Sequence, residues 1–445
     1  MVRNQNTSQN TQKIIGANRV FVCDEAFSVI KNGGVVYESM PKEQMAQRAG
    51  DSMDFTESNG SKILAVGEYE NLVRAYPHAN REFYDDGVLL PSLVNAHIHF
   101  EFSNNTTSFM YGDFGRWLDS VIAKRDDVLS NITKSVQEAI ATQLVNGVGL
   151  VGAISSYGYD LEALSNSGLR VVYFSEAMGS NPSVIDALFG DFKTRLEQSE
   201  AHKSAIFTPA VALHSPYSLH NIYAKYVLQE AKKLKAPVSA HFLESAHERE
   251  WLLSGSGYFY DFFAKTFAVP NPKPFYSIEG FLEQFIGLEN VLLTHCLFAS
   301  ESELQTMFQN SHTIVTCPRS NRLLNNTYLP HLQMGGAKNL MLNIALGTDG
   351  KSSNADVSLL EEMRAMLFAY PHTDLSTLAQ QILQSATHNG ARALGVKSGI
   401  LQKDYNADMA VFKIPKITQS AQEALQFILH AKKATRLIIN GKKLV

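Results

Sequence analysis

The sequence has few cysteines, little net charge and no long apolar run. Only three of its 445 residues are cysteine, and Cys23, Cys296 and Cys317 lie far apart along the chain. This spacing excludes a disulfide framework and favours a reducing compartment, so we expect a cytoplasmic protein. The formal net charge of −4 gives no support for binding to nucleic acid or to anionic lipid.

No apolar segment is long enough to cross a bilayer, and residues 1–13 are mostly polar. We interpret residues 1–13 as a disordered tail and not as a signal peptide. Apolar residues make up 45% of the chain and charged residues 18%, which is typical of a globular protein with a full core. We therefore expect no nucleic-acid partner and no membrane partner.

Short strand patterns occupy both ends of the chain. Ile14 to Cys23 alternates apolar and polar residues, Gly33-Gly34 marks a turn, and Asn440-Gly441 is a hairpin signal. We predict that residues 14–90 and 395–445 form one small discontinuous β-sandwich domain.

Residues 91–394 follow a different pattern, in which short apolar runs alternate with long amphipathic stretches. This alternation is typical of βα units, and eight parallel strands close a barrel. The predicted fold is therefore α/β, a (β/α)8 TIM barrel, with helices such as those at 222–235, 301–309 and 359–369. The eight runs are 92–96, 149–154, 169–174, 205–213, 237–240, 290–293, 313–315 and 341–346.

Residues 255–285 interrupt the alternation with many tyrosines and phenylalanines and three prolines. We interpret this segment as an insertion after the fifth strand that serves as a lid or as an interface, with core packing as the alternative.

Polar residues follow five of the eight runs, at the end of the barrel where active sites lie. The first run continues into His97-Ile98-His99, and alternate residues of an extended chain point the same way, so both imidazoles should face one cavity. Each of these polar residues, taken alone, could have a purely structural role. Because histidine or aspartate recurs at five strand ends, a shared site is favoured. The others are His214, His241 with Glu244, His295 and Asp349.

Three imidazoles and one carboxylate suit a single divalent cation and leave one position for water. A bound cation makes that water acidic near neutral pH. Zn²⁺ is the expected ion, and the same ligands also accept Fe²⁺ or Mn²⁺. The predicted ligands are His97, His99, His241 and Asp349.

Hydrolysis also needs a group that carries the proton. Glu244, three residues after His241, is well placed for this, with a solvent-facing carboxylate or a charge at a helix N-terminus as the alternative. His295 would orient the water or be a further ligand, and Asp349 would act as ligand and second base. The predicted catalytic residues are therefore Glu244, His295 and Asp349.

The order of these motifs resembles the amidohydrolase superfamily, from about Ile14 to Val445. The mononuclear deaminase branch, which includes guanine and S-adenosylhomocysteine/methylthioadenosine deaminases and chlorohydrolases, is the most similar. The resemblance implies one metal on the four ligands above, Glu244 as proton shuttle and His295 as the hydrogen-bond partner of the water. The segments that carry it are 97–99, 214–218, 241–244, 293–296, 316–321, 347–350 and 406–412.

The resemblance also implies the reaction, which is hydrolytic deamination, and a substrate contact for His214. Because Phe100-Glu101-Phe102-Ser103 departs from the common pattern, the chain looks most like the bacterial aminodeoxyfutalosine deaminases of menaquinone biosynthesis. Their substrate, an adenine nucleoside with a carboxyphenyl ketone on its sugar, would need an aromatic wall and a cation.

Phe102 and Trp117 are the candidates for the aromatic wall, and Arg319 or Arg322 for the cation. Ser320, in the matching segment 316–321, is a further predicted substrate contact. For Trp117 the alternative is packing between helix and barrel, and for Arg322 it is a surface charge.

Three hypotheses stay open. The first is an adenine-nucleoside deaminase that acts on 6-amino-6-deoxyfutalosine or on S-adenosylhomocysteine/methylthioadenosine. The second is a guanine deaminase or a chlorohydrolase of triazine rings, and the third is a barrel that serves only as a scaffold. The expected partners are a small purine nucleoside and a second copy in a homodimer.

Overall fold

The computed structural model describes residues 12–39, 60–105, 107–329 and 343–445. Most of the expected tail at 1–13, and the first residues of the predicted run at 341–346, lie outside the described residues. The first strand begins at Gln12, so the last two residues of the expected tail belong to a strand.

Eight parallel strands form one sheet, in which each strand lies beside the strand that precedes it in the sequence. The N–H groups of Thr348 and Asp349 donate to the carbonyl oxygen of His97 at 3.0 and 3.1 Å, which joins the two outer strands at their carboxyl ends. The predicted TIM barrel is confirmed, and each predicted run coincides with one strand. The strands are β5 (Leu93–Ile98), β6 (Val148–Ser155), β7 (Arg170–Ala177), β8 (Phe207–Leu213), β9 (Val238–Phe242), β10 (Val291–His295), β11 (Thr313–Thr316) and β12 (Ile344–Leu346).

Helices follow the barrel strands, as the amphipathic stretches predicted. None of the helices in the described ranges is both long and apolar enough to cross a membrane. The barrel segment contains the helices Phe114–Leu129, Thr133–Val145, Leu161–Ser165, Ile185–Glu200, Asn221–Leu234, Ala246–Ser254, Glu301–Gln309, Pro318–Asn325, Leu359–Ala369, Leu375–Gln384 and Gly390–Ala393.

Alternate residues of the barrel strands pack on opposite faces, as strand geometry requires. One set, which includes Val151 and Val171, packs with the surrounding helices. The other set forms a separate buried cluster of mostly small or branched side chains in the interior of the barrel. Its members include Val94, Leu150, Val172, Ala210, Leu292, Val315 and Ala345.

The remaining strands form one mixed sheet of seven strands, which is the β-domain expected from both chain ends. β4 lies between β1, to which it is parallel, and β13, to which it is antiparallel. The barrel bounds at residues 91 and 394 stay a prediction; β4 of the mixed sheet ends at Pro91 and the first barrel strand begins at Leu93. The strands are β1 (Gln12–Phe21), β2 (Val29–Glu38), β3 (Ile63–Glu68), β4 (Asn80–Pro91), β13 (Met409–Lys413), β14 (Arg436–Ile439) and β15 (Lys442–Lys443), with helices Tyr69–Ala75 and Glu423–His430.

The insertion at 255–285 contains the helices Tyr258–Thr266 and Ile278–Leu282. Its aromatic side chains pack on the barrel, because Phe259 stacks on Tyr217 at 4.1 Å between ring centroids and Phe281 stacks on Phe242 at 5.6 Å. The described contacts therefore favour the core-packing alternative for this segment.

A buried ion pair connects the barrel to the β-domain. The guanidinium of Arg170 on β7 donates to both carboxylate oxygens of Asp408, at 2.7 and 3.1 Å. Asp408 also accepts the Asn440 N–H and the Ser398 hydroxyl. Because these two side chains are 7% and 0% exposed, removal of one partner leaves the other charged and buried.

We expect Arg170→Ala to lower the free energy of unfolding by about 3–5 kcal/mol, because Asp408 would lose its counter-ion inside the protein. Lys265→Ala is the matched control, since it breaks the pair with Asp261 on the surface and should cost less than about 1 kcal/mol. Urea unfolding of both variants checks the difference. Equal losses would show that the buried pair does not stabilise the contact between the domains.

Candidate active site

The first two histidines lie at the carboxyl end of β5. The His97 and His99 rings meet edge to face with 4.9 Å between centroids. Asn95 fixes the strand, because its buried side chain donates to Gln143, on the helix Thr133–Val145, and to Thr348. The alternation of an extended strand thus places both imidazoles in one cavity, as expected.

His241, at the end of β9, completes a group of three imidazoles. Its Nδ1 lies 2.8 Å from the carbonyl oxygen of His214, so its Nε2 faces the cavity, 3.2 Å from Nε2 of His99. Burial lowers the pKa of His97 and His241 well below the usual value. Both imidazoles are therefore neutral, which is the form that binds a metal.

Asp349 follows β12 in a left-handed backbone conformation, with φ of 60°. Its Oδ1 lies 3.6 Å from Nε2 of His99 and 3.9 Å from Nε2 of His97. Its Oδ2 accepts hydrogen bonds from the hydroxyls of Ser320 and Ser353, at 2.8 and 2.7 Å. Burial alone would raise the pKa of Asp349, but the neighbouring imidazoles and the Ser353 hydroxyl hold it below its usual value.

These four side chains fit a divalent cation. One nitrogen from each of His97, His99 and His241 lies within 4.8 Å of the others. The Nε2 atom of His97 is buried and has no hydrogen-bond partner among the described residues. A buried polar atom without a partner is costly, and a cation bound between the imidazoles and Asp349 would satisfy it.

A second group lies on the other side of Asp349. Glu244, His295 and Asp349 each place one ligand-type atom within 4.8 Å of the other two. Asn321 holds Nδ1 of His295 at 2.8 Å, which leaves Nε2 facing Glu244 at 3.5 Å. The structure thus brings all the residues predicted to be catalytic together.

Glu244 is buried, and its backbone is fixed by Glu248, which accepts the N–H groups of Leu243 and Glu244. Burial raises the pKa of Glu244 well above its usual value, and the charges of Asp349 and Glu248 raise it further. A raised pKa favours the protonated carboxyl group, which is the form that a general acid requires.

Of the residues predicted to bind substrate, His214 and Phe102 lie beside the histidines. The His214 ring is 5.2 Å from that of His241, and its Nδ1 is bonded to Ser218 at 2.6 Å. The Phe102 ring lies 6.1 Å from that of His99.

Arg319 does not provide the expected cation, and this expectation needs correction. Its guanidinium already binds the carboxylates of Glu362 and Asp356, both at 2.6 Å. Arg322 is exposed and donates to Asn326, which agrees with the surface-charge alternative for this residue.

Ser320 and Trp117 also make internal contacts. The hydroxyl of Ser320 donates to Asp349, so Ser320 positions a predicted ligand. The indole N–H of Trp117 donates to the carbonyl oxygen of Ser352 at 2.8 Å, and its ring packs on Phe114. This agrees with the packing alternative for Trp117.

One buried carboxylate at the site was missed by the sequence reasoning. Glu176 on β7 is 1% exposed, and its Oε1 has no hydrogen-bond partner among the described residues. This oxygen lies 3.8 Å from Nδ1 of His241, and Glu176 forms a third group of ligand-type atoms with His214 and His241. Its position two residues after the third apolar run was the signal that could have identified it.

Residues 88–444 match the amidohydrolase family, and the chain belongs to that family. This membership agrees with the barrel, the β-domain and the convergence of histidines and aspartate at the strand ends.

Several proteins that are similar to this chain over most of its length are deaminases. The aminodeoxyfutalosine deaminase of a Nitratiruptor species is 40% identical, over 86% of this chain and 93% of that protein. An adenosine deaminase of Helicobacter pylori is 36% identical over 98% and 100%. The crystal structure of Helicobacter pylori aminofutalosine deaminase with methylthio-coformycin superposes with a TM-score of 0.86 at 35% identity, over 97% and 100%. The chain is thus a hydrolase that acts on carbon–nitrogen bonds in cyclic amidines.

We expect the double variant Ser320→Ala, Ser353→Ala to bind Zn²⁺ about 10- to 100-fold more weakly, because Oδ2 of Asp349 would lose both hydrogen bonds that orient it. Chelator competition measures the dissociation constant. Ser135→Ala is the control, since that hydroxyl bonds only within its own helix. Unchanged affinity in the double variant would argue against Asp349 as a ligand.

Proposed function

We propose that this chain is a metal-dependent deaminase that converts 6-amino-6-deoxyfutalosine into futalosine and ammonia, a step of menaquinone biosynthesis. One observation carries the proposal: the buried carboxyl group of Glu244 lies beside Asp349, and Asp349 lies 3.9 and 3.6 Å from His97 and His99, two of the three clustered imidazoles. The names of the relatives support the choice of substrate.

We further propose that His97, His99, His241 and Asp349 hold one Zn²⁺, with Fe²⁺ or Mn²⁺ as alternatives. When bound, the cation supplies a water molecule acidic enough to act as a nucleophile near neutral pH. The clustered imidazole nitrogens and the Asp349 carboxylate beside them support this ligand set. The three cysteines are buried and free, which supports the proposed cytoplasmic location.

The proposed chemistry adds water to the ring carbon that bears the amino group. Glu244 donates its proton to the adjacent ring nitrogen, takes up the proton that the attacking water loses, and then passes it to the departing amine. The hydroxyl group now on the ring carbon gives its proton to Asp349, the second base, which returns it to Glu244. Ammonia leaves, the ring carbon becomes a carbonyl, and Glu244 regains the proton with which it began. His295 positions the water, because Asn321 fixes one of its nitrogens and leaves the other facing Glu244.

His214 and Glu176 are proposed to hold the sugar. Oε1 of Glu176 has no hydrogen-bond donor among the described residues. The hydroxyl groups of a ribose can donate hydrogen bonds to it. Since the second carboxylate oxygen is bound by the Ser156 hydroxyl, the orientation of Glu176 is already fixed before substrate arrives.

Glu244→Gln should keep about one metal ion per chain but lose at least about 100-fold in kcat, because an amide cannot transfer the proton. Metal analysis and steady-state kinetics on the same preparation check both parts. Glu250→Gln changes a surface carboxylate on the following helix and should leave both unchanged. A Glu244→Gln enzyme with a rate near that of the wild type would remove the assigned role.

Ammonia release from a panel of substrates tests the reaction itself. We expect the highest kcat/KM for 6-amino-6-deoxyfutalosine, lower values for methylthioadenosine and S-adenosylhomocysteine, and none for guanine or a chlorotriazine. Equal rates on the three nucleosides would contradict the preferred substrate. Release from guanine or loss of chloride from the triazine would favour the second class of hydrolase, and a metal-free inactive protein would favour a scaffold.

A further inference from the structure

Glu362 is a buried carboxylate that joins two chain segments beside the site. It lies on the helix Leu359–Ala369 and is fully buried. One of its oxygens accepts hydrogen bonds from the guanidinium of Arg319 and from the side-chain amide of Asn354, at 2.6 and 2.7 Å. The other oxygen accepts the backbone N–H of Arg319 at 3.0 Å. An amide in the same place could not accept all three bonds, because it has only one oxygen and its nitrogen donates.

The first partner fixes the start of the helix Pro318–Asn325. The guanidinium of Arg319 also donates to the carboxylate and to the carbonyl oxygen of Asp356, at 2.6 and 3.0 Å, so the whole side chain is held in place. Ser320, the next residue of the helix, is buried and donates its hydroxyl to Oδ2 of Asp349. The position of this hydroxyl therefore depends on the residue before it.

The second partner fixes the loop that follows β12. Besides its bond to Glu362, the amide nitrogen of Asn354 donates to the carbonyl oxygen of Thr348 at 2.9 Å. Ser353, the residue before Asn354, donates its hydroxyl to Oδ2 of Asp349, the atom that the first serine also contacts. Each of the two hydroxyls that orient this carboxylate is thus adjacent in sequence to a side chain that Glu362 binds.

We propose that Glu362 is a positioning residue for Asp349. It acts by holding the two chain segments from which Ser320 and Ser353 donate their hydrogen bonds. The inference rests on the proposed function, in which Asp349 is a metal ligand and the second base. A carboxylate that is held at one oxygen by two hydroxyls presents its other oxygen in a fixed direction, and outer hydrogen-bond partners of this kind tune metal affinity. The same network gives Arg319 a role other than the substrate contact expected for it.

A purely structural role for Glu362 predicts a different outcome. If the carboxylate only stabilised the fold, its loss would lower the free energy of unfolding without changing Zn²⁺ affinity. If it acts through Ser320 and Ser353, its loss should weaken Zn²⁺ binding, and only while those hydroxyls are present. The same substitution in two backgrounds therefore separates the two roles.

The experiment measures the Zn²⁺ dissociation constant by chelator competition. Glu362→Gln is made in the wild type and in the variant Ser320→Ala, Ser353→Ala. In the wild-type background we expect about tenfold weaker binding, because an amide cannot keep both segments in place. In the background without the serine hydroxyls we expect the same substitution to weaken binding by less than about twofold, because the contacts through which it acts are already gone.

Arg364→Gln is the matched control. Arg364 lies on the same helix as Glu362, but its guanidinium binds the carbonyl oxygens of Ile428 and Ala431, at the carboxyl end of the helix Glu423–His430. This variant should lower the free energy of unfolding in urea and leave the Zn²⁺ dissociation constant unchanged. Stability alone would then not account for a loss of affinity in Glu362→Gln.

Arg319→Lys serves as the second variant where Glu362→Gln does not fold. Lysine keeps the positive charge but lacks the planar fork that binds Glu362 and Asp356 together, so the same pair of results is expected in the two backgrounds. Unchanged Zn²⁺ affinity in a folded variant, or equal losses in both backgrounds, would overturn the inference.

Failure of the proposed function is distinguishable from failure of the inference. If the wild type deaminates none of the nucleosides, the proposed function fails, while the Zn²⁺ constants still decide the role of Glu362. If the wild type also binds no Zn²⁺, the crystal structure of Glu362→Gln decides it. Serine hydroxyls displaced out of hydrogen-bond distance from Asp349 would support the positioning role, and hydroxyls left in place would reject it.

Discussion

Closure of the barrel at the seam between β12 and β5 is the constraint on which the site depends. The N–H groups of Thr348 and Asp349 both donate to the carbonyl of His97, so the last strand end is fixed against the first. Asp349 can then place one carboxylate oxygen near His97 and His99 while two serine hydroxyls hold the other. Residues far apart in sequence become neighbours because the sheet closes on itself.

Buried carboxyl groups fix the backbone at other strand ends of the barrel. Glu101 holds the loop after β6, and Glu248 holds the chain at Leu243 and Glu244. Burial raises the pKa of both Glu101 and Glu248 to about 8. Buried carboxyl oxygens that accept backbone N–H groups restrict motion, so the loops that carry the site's side chains are held before any ligand binds.

Much of the fold and of the candidate metal site could be predicted from the sequence, because each strand end is a local signal. Apolar runs locate the strands, and the polar residue that follows each run points to the open end of the barrel, as with His241 and Asp349. Glu176 was missed because β7 continues to Ala177, so this residue lies inside the strand and not after it.

The substrate contacts were harder to predict for a different reason. The partners of Arg319 are Asp356 and Glu362, 37 and 43 residues further along the chain. No local pattern shows that a guanidinium is already neutralised by such distant carboxylates.

The mixed sheet can be completed only late in translation, because its strands come from both ends of the chain. β4 pairs with β1 on one side and with β13 on the other. The sheet therefore lacks its C-terminal strands, β13 to β15, until the end of the chain has left the ribosome. The barrel strands emerge earlier and in spatial order, each beside its predecessor. During translation a barrel can thus assemble next to an incomplete sheet with an exposed edge, which is the kind of surface that chaperones protect.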